Sequence, residues 1–180
     1  MMSDTIFFKE YPSGSLPFKK LLVTAMLWFF GRAIQAGARV DGEIAREFAA
    51  LPTGFSFSLE VLPHGPGMVV GKDEHGRVKF LGMDLYAQEV NLRMRIRNTA
   101  AAFLLFTLQE GNAIAAARNR FIIDGDIAHA CAAMRILEIV EVYLLPKVLA
   151  KLALKRYPVW SLGRRLKGRA AIYIRSLLGV

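Results

Sequence analysis

A chain of 180 residues with 54% hydrophobic and 22% charged residues can bury one sizeable core. Its lone cysteine, Cys131, excludes an internal disulfide and gives no sign of an oxidising compartment, which favours the cytoplasm. The net charge of +9 is confined to the end of the chain: residues 142–180 hold nine Lys and Arg and no acid, while residues 1–141 hold 15 of each sign.

Residues 1–15, with Pro12, Gly14 and three serines, read as a loose arm. The pattern over residues 16–38 is helical, with a break expected near Gly31 or Gly37. Its apolar stretch, residues 21–30, is about half of the roughly 18 to 20 residues that span a bilayer. Lys19-Lys20 before it and Ala36-Gly37-Ala38 after it outline a secretory signal, but Arg32 interrupts, so an amphipathic first helix is expected instead. A short helix over residues 41–51 follows, with Asp41 placed to cap it.

The hydrophobic period then falls to two. Phe55, Phe57, Leu59 and Val61 alternate with Ser56, Ser58 and Glu60, as in a half-buried strand. Strands over residues 68–72 and 77–82 flank Asp73-Glu74-His75-Gly76, a hairpin signal. Residues 89–97 alternate Val90, Leu92, Met94 and Ile96 with Asn91, Arg93, Arg95 and Arg97. Helices over residues 100–110 and 112–119 lead to a fifth strand, residues 120–124. Asp126 caps a long helix running to Leu145, and Pro146 and Pro158 bound a further helix over residues 147–157. This order predicts an α+β fold: a five-stranded, mainly antiparallel sheet with one face solvated and one covered by helices, plus extra N- and C-terminal helices. The expected division is residues 1–37 as arm and helix, 38–157 as the main domain, and 158–180 as a basic amphipathic tail.

No catalytic constellation emerges. His64, His75 and His129 lack metal-ligand spacing to one another or to Cys131. No Gly-x-Ser-x-Gly elbow occurs, and Gly71-Lys72 lacks the rest of a phosphate loop. Asp124 and Asp126 flank Gly125, where turn formation and capping explain them better than acid–base work. The chain reads as a non-enzyme with no metal and no cofactor.

The bulky apolar positions expected to face the helices are Phe55, Phe57, Leu59, Val70, Phe80, Leu92 and Met94 on strands. Phe103, Leu104, Phe106, Met134, Leu137, Val140 and Leu144 oppose them on helices. They form either a close-packed core or the wall of an apolar cavity. The runs Asn98 to Gly111, Ala113 to Arg120, Phe121-Ile-Ile-Asp-Gly-Asp126 and Ala128 to Leu137 resemble the sterol carrier protein type two (SCP2) domain. With Leu145-Pro146-Lys147, the outline is similar to the family's branch of bacterial ubiquinone-biosynthesis accessory factors. The resemblance covers residues 38–155. It implies a hydrophobic tunnel for sterols, acyl chains or isoprenoid-quinone tails, no catalytic residue, and biosynthetic enzymes as possible partners. The basic outer face of Arg93, Arg95 and Arg97 departs from the family pattern.

The basic tail points to an anionic membrane surface. Lys147, Lys151 and Lys155 recur every four residues, Trp160 follows Pro158, and Arg164, Arg165, Lys167 and Arg169 fall off a stripe of Leu162, Leu166, Ala170, Tyr173 and Leu177. Packing of these helices on protein is the alternative. Nucleic acid is disfavoured, since no reading-helix signature is present. The expected activity is lipid binding or transfer at a membrane surface, with a scaffold role in ubiquinone biosynthesis as the alternative.

Overall fold

A computed structural model of the chain describes residues 16–107, 112–144 and 162–179. The first helix, α1 (Leu16–Val40), is continuous. The two glycines expected to break it serve close packing: a Cβ on Gly31 would stand 2.3 Å from the Phe80 ring, and one on Gly37 would stand 2.8 Å from Ile44 Cδ1. Val23, Leu27, Phe30, Ile34 and Gly37 repeat at helical spacing and are buried, so α1 lies across the sheet as part of the core. The expected boundary at residue 37 therefore falls inside an unbroken core helix. By length and composition residues 17–40 could also cross a bilayer, but 44% of the most apolar window is buried within the fold.

Asp41 ends α1 and caps α2 (Gly42–Ala50) as expected, its Oδ1 accepting from Glu43 N at 2.7 Å and Ile44 N at 3.2 Å. The far end of α2 is held by Lys72, whose Nζ donates to the carbonyls of Phe48 (2.8 Å) and Leu51 (2.6 Å). A cation there also opposes the negative end of the helix dipole.

The five strands are β1 (Ser56–Val61), β2 (Gly67–Lys72), β3 (Val78–Gly82), β4 (Leu92–Ile96) and β5 (Phe121–Asp124). They order as β3-β2-β1-β4-β5, antiparallel except for the parallel β1–β4 pair. Register puts Phe57 between Val70 and Leu92, and Leu59 between Met68 and Met94, on the helix-covered face. The α+β expectation of a mainly antiparallel five-stranded sheet under helices holds.

The other face is not simply solvated. Ser56, Ser58 and Val69 are buried there, against the expectation of a half-buried β1. Glycine in β2 is the reason. A Cβ on Gly67 would lie 2.5 Å from Leu85, and one on Gly71 would lie 2.7 Å from Leu81, so these two side chains fold back into the glycine notches. The segment between β3 and β4 thus roofs one half of the outer face, tied down by Asn91 Oδ1 accepting from Ser56 N at 2.9 Å.

The β2–β3 hairpin is organised by Asp73, which accepts from His75 N, Arg77 N and Arg77 Nε at 2.8–3.0 Å. The backbone hydrogen bond from Arg77, with the Arg77 side chain and His75 N–H, lowers its carboxyl to about 2. A depressed folded-state value means that its contribution is complete above the ordinary value of 3.8 and is lost as pH falls toward 2. A 13C NMR titration of the Asp73 carboxyl should place its midpoint near 2; a midpoint at the ordinary value would show that the hairpin does not hold it.

Beyond the sheet, Asn98 caps α3 (Thr99–Phe106) through Ala101 N at 2.7 Å, and α4 (Asn112–Ala117) leads into β5. Asp126 caps α5 (Ile127–Leu144) through His129 N at 3.0 Å, which accounts for the proximity of His129 and Asp126. Arg135 on α5 forks onto Glu47 of α2 at 2.8 and 2.9 Å. The last helix, α6 (Leu162–Leu178), crosses α1 and the end of α5. Its buried line is Gly168, Ile172 and Ser176, whereas Ala170 and Leu177 of the expected apolar stripe are exposed. Ile172, which lies off that stripe, is fully buried and anchors the helix.

Candidate functional site

The apolar layer between helices and sheet is mostly solid. Phe55, Phe57, Leu59, Val70, Leu92, Met94, Leu137, Val140 and Leu144 are buried, and Phe80, Phe103, Phe106 and Met134 pack partly buried against them. Leu104 is half-exposed on α3. Close packing in the interior leaves few voids, so any remaining opening is informative.

One such opening lies where α1, α3 and α5 meet. A cavity of about 140 Å³ is lined by Met26, Phe29 and Phe30 of α1, Leu105 and Phe106 of α3, and Glu141 and Leu144 of α5. A smaller void of about 20 Å³ shares Phe30, Leu105, Phe106 and Glu141 with it and reaches the sheet at Leu59, Ile96 and Phe121, beside Met134 and Leu137. The two voids adjoin, the inner one lying under β1, β4 and β5, and their apolar linings make a candidate passage. The Phe30 and Phe106 rings, 5.7 Å apart between centroids, stand beside both compartments. Glu141 supplies the single carboxylate among these lining residues.

Of the residues expected to hold a lipid, Leu59, Phe106, Met134, Leu137 and Leu144 line this passage. Phe57, Val70, Phe80, Leu92, Met94, Phe103, Leu104 and Val140 do not. Phe57, Val70, Leu92, Met94 and Val140 are filled core, and Phe80 sits beneath Gly31. The sequence reading missed Met26, Phe29, Phe30, Ile96, Leu105, Phe121 and Glu141. The signal for α1 was present, since Met26, Phe29, Phe30 and Ala33 share one helical face, but α1 had been set outside the domain.

On the outside of α1, Phe18, Leu21, Ala25 and Trp28 form a second stripe at helical spacing. Phe18 and Leu21 are 67% and 68% exposed, and Trp28 is 38% exposed with the Arg32 guanidinium over its ring. Ile174, Leu177 and Leu178 are likewise exposed on α6.

Among the residues assigned to a membrane surface, Lys147, Lys151, Lys155 and Trp160 lie outside the described residues. Arg164 and Arg165 fall near the start of α6, and their side chains also lie outside the described residues. Lys167 is exposed and lines an open groove with Asp41, Glu43 and Arg46. Arg169 turns inward: its Nε donates to the Tyr143 carbonyl at 2.8 Å and a terminal nitrogen to Val142 at 3.1 Å. Those are carbonyls of the last turn of α5. Arg169 thus ties α6 to the end of α5, and Tyr173 assists by donating to the Leu144 carbonyl at 2.6 Å.

No family model matches the sequence, and no curated protein matches it. A solved structure of a UbiJ-SCP2 ubiquinone synthesis protein is similar to this chain at 15% identity and a TM-score of 0.44, over 69% of this chain and 100% of that one.

Proposed function

We propose that the protein is a non-enzymatic lipid binder that takes one apolar tail between α1, α3 and α5 while resting on a membrane surface. The observation that carries the reading is the apolar passage leading from Met26 and Phe29 inward to Leu59 and Ile96. The likeness of residues 98–137 to the SCP2 domain supports it, since that family holds sterols, acyl chains or isoprenoid tails. The cavity of about 140 Å³ is below the roughly 300 Å³ at which ordinary small-molecule sites begin. A tail therefore enters by displacing α3, whose half-exposed Phe103, Leu104 and Phe106 move outward as it seats. The exposed Phe18, Leu21 and Trp28 on the same α1 that walls the passage supply the face that lies in the interface.

Mass spectrometry of lipid co-purifying with the full chain tests the proposal. Native protein should carry an extractable acyl or prenyl lipid, and Met26→Trp, which fills the mouth, should lower its occupancy about tenfold, a loss near 1.4 kcal/mol. Phe18→Ser with Leu21→Ser should leave binding of a soluble acyl probe intact and weaken co-sedimentation with vesicles. Protein that carries no lipid and binds no acyl or prenyl probe would sink the reading. The solid packing of Phe57, Leu92 and Met94 favours a second reading, a ubiquinone-biosynthesis accessory factor acting through protein partners. Capture of biosynthetic enzymes that is unchanged in Met26→Trp would select it.

A further inference from the structure

We propose that the outer face of the sheet carries a separate site for a phosphate-bearing small molecule, held by Arg93 and Ser58. It lies on the opposite side of the sheet from the apolar passage and stands whether or not that passage takes a lipid. The parallel pairing of β1 with β4 puts Ser58 beside Arg93 and Glu60 beside Arg95 on this face. Arg95 uses the nearby acids: its Nε pairs with Glu60 at 2.5 Å, and a terminal nitrogen reaches Asp124 at 3.4 Å. Asp124 is also the cross-strand neighbour of Arg93, yet Arg93 has no ion-pair or hydrogen-bond partner among the described residues. Arg93 as a whole is partly buried and borders a cavity on this face.

The residue beside it adds an independent sign. Ser58 is only 2% exposed, and its hydroxyl has no hydrogen-bond partner among the described residues. A cation and a hydroxyl side by side, neither with a partner among the described residues, leave both sets of donors available to a molecule in the space they face. Both line a cavity of about 370 Å³ whose walls also include Glu60, Arg95, His64 and Tyr86. That volume exceeds an ion's needs and falls within the roughly 300–1,000 Å³ of small-molecule sites.

The walls are built to stay in place. Leu85, next to Tyr86, is seated against Gly67, and Lys20 of α1 donates to the His64 carbonyl at 3.0 Å. A phosphate group suits the donors, because its oxygens can accept from the planar guanidinium fork and from the serine hydroxyl together. Glu60 does not repel it strongly, since Arg95 already neutralises that carboxylate. The rest of the molecule would lie between His64 and Tyr86, the latter being 89% exposed with its ring free to cover a ligand.

Titration of the 15N-labelled full chain with glycerol 3-phosphate is the test. Saturable shifts are expected at the amides of Ser58, His64, Tyr86 and Arg93, with a Kd below about 1 mM. Arg93→Lys keeps the charge but loses the fork, and should weaken binding about tenfold. Ser58→Ala should weaken it several-fold. Arg97→Gln, an exposed arginine just beyond β4, should change nothing. Competition by phosphatidylglycerol vesicles that depends on Arg93 would assign the phosphate to a lipid headgroup; its absence, with glycerol 3-phosphate still bound, would assign a soluble phosphate ester. The proposal is overturned by shifts that do not saturate by about 10 mM, by equal shifts with acetate at matched ionic strength, or by Arg97→Gln weakening binding as much as Arg93→Lys.

Discussion

Leu27→Ala is expected to lower the unfolding free energy of the full chain by about 2–5 kcal/mol, read from urea denaturation. Leu27 is fully buried on the inner face of α1, with Val23, Phe30 and Ile34 on the same face. Two effects add when the side chain is cut back: the transfer of its methylenes is lost, and a void is left that the surroundings fill only in part. The void here cannot collapse easily. One turn further on, the Gly31 backbone already sits against the Phe80 ring, so the helix has no room to settle closer to β3. Ile34→Ala, at another fully buried position on that face, should cost a similar amount. Leu21→Ala is the control, because Leu21 points outward and its truncation should stay within about 0.5 kcal/mol. If Leu27→Ala proves no more harmful than Leu21→Ala, α1 is not a core helix. The passage would then lose the wall made by Met26, Phe29 and Phe30.

That prediction opposes what composition alone suggests about residues 16–40, and the reason is physical. Both faces of α1 are apolar: Val23, Leu27 and Ile34 on one, Phe18, Leu21 and Trp28 on the other. A helix greasy all round does not declare which stripe meets the core. By contrast, Asp41 and Asp126 were legible as caps because each precedes its helix and has the short acceptor side chain the first turn needs. The strands were legible from alternation and from the Asp73–Gly76 turn, and all five occur close to where they were expected. The β4 start shifted inward to Leu92 because Asn91 gives its side chain to Ser56.

The site was much less legible. A cavity formed by Met26, Leu105 and Glu141 needs three helices to converge, and no local period encodes where close packing stops short. The burial of Ser58 depends on Leu85 finding the notch at Gly67, which is eighteen residues earlier in the chain. The orientation of α6 was misjudged because Ile172 and Ile174 lie on different faces with equal hydrophobicity. What decides between them is tertiary: Arg169 clamps the end of α5, and that fixes the helix with Ile172 inward and Ile174 outward.

Asp41→Ala is expected to cost about 2–4 kcal/mol, more than an isolated cap. Asp41 is 3% exposed and holds three donors at once: Glu43 N and Ile44 N at the start of α2, and the Tyr143 hydroxyl near the end of α5. Loss of the cap alone is worth about 1 kcal/mol. Removing the acceptor used by a fully buried tyrosine adds about 1–3 kcal/mol. Tyr143 stands at a crossing, since its ring presses on Gly168 of α6 and its carbonyl accepts from Arg169. Asp41→Ala should therefore loosen α6 as well as α2, visible as faster amide exchange at Ile172 and Tyr173. Asp41→Asn retains an acceptor oxygen and should recover most of the loss. In a double-mutant cycle with Tyr143→Phe, the two costs should fall short of additivity by roughly 1 kcal/mol, because both variants remove the same contact. Additive costs, or unchanged exchange in α6, would show that Asp41 caps one helix and does nothing to join α2, α5 and α6.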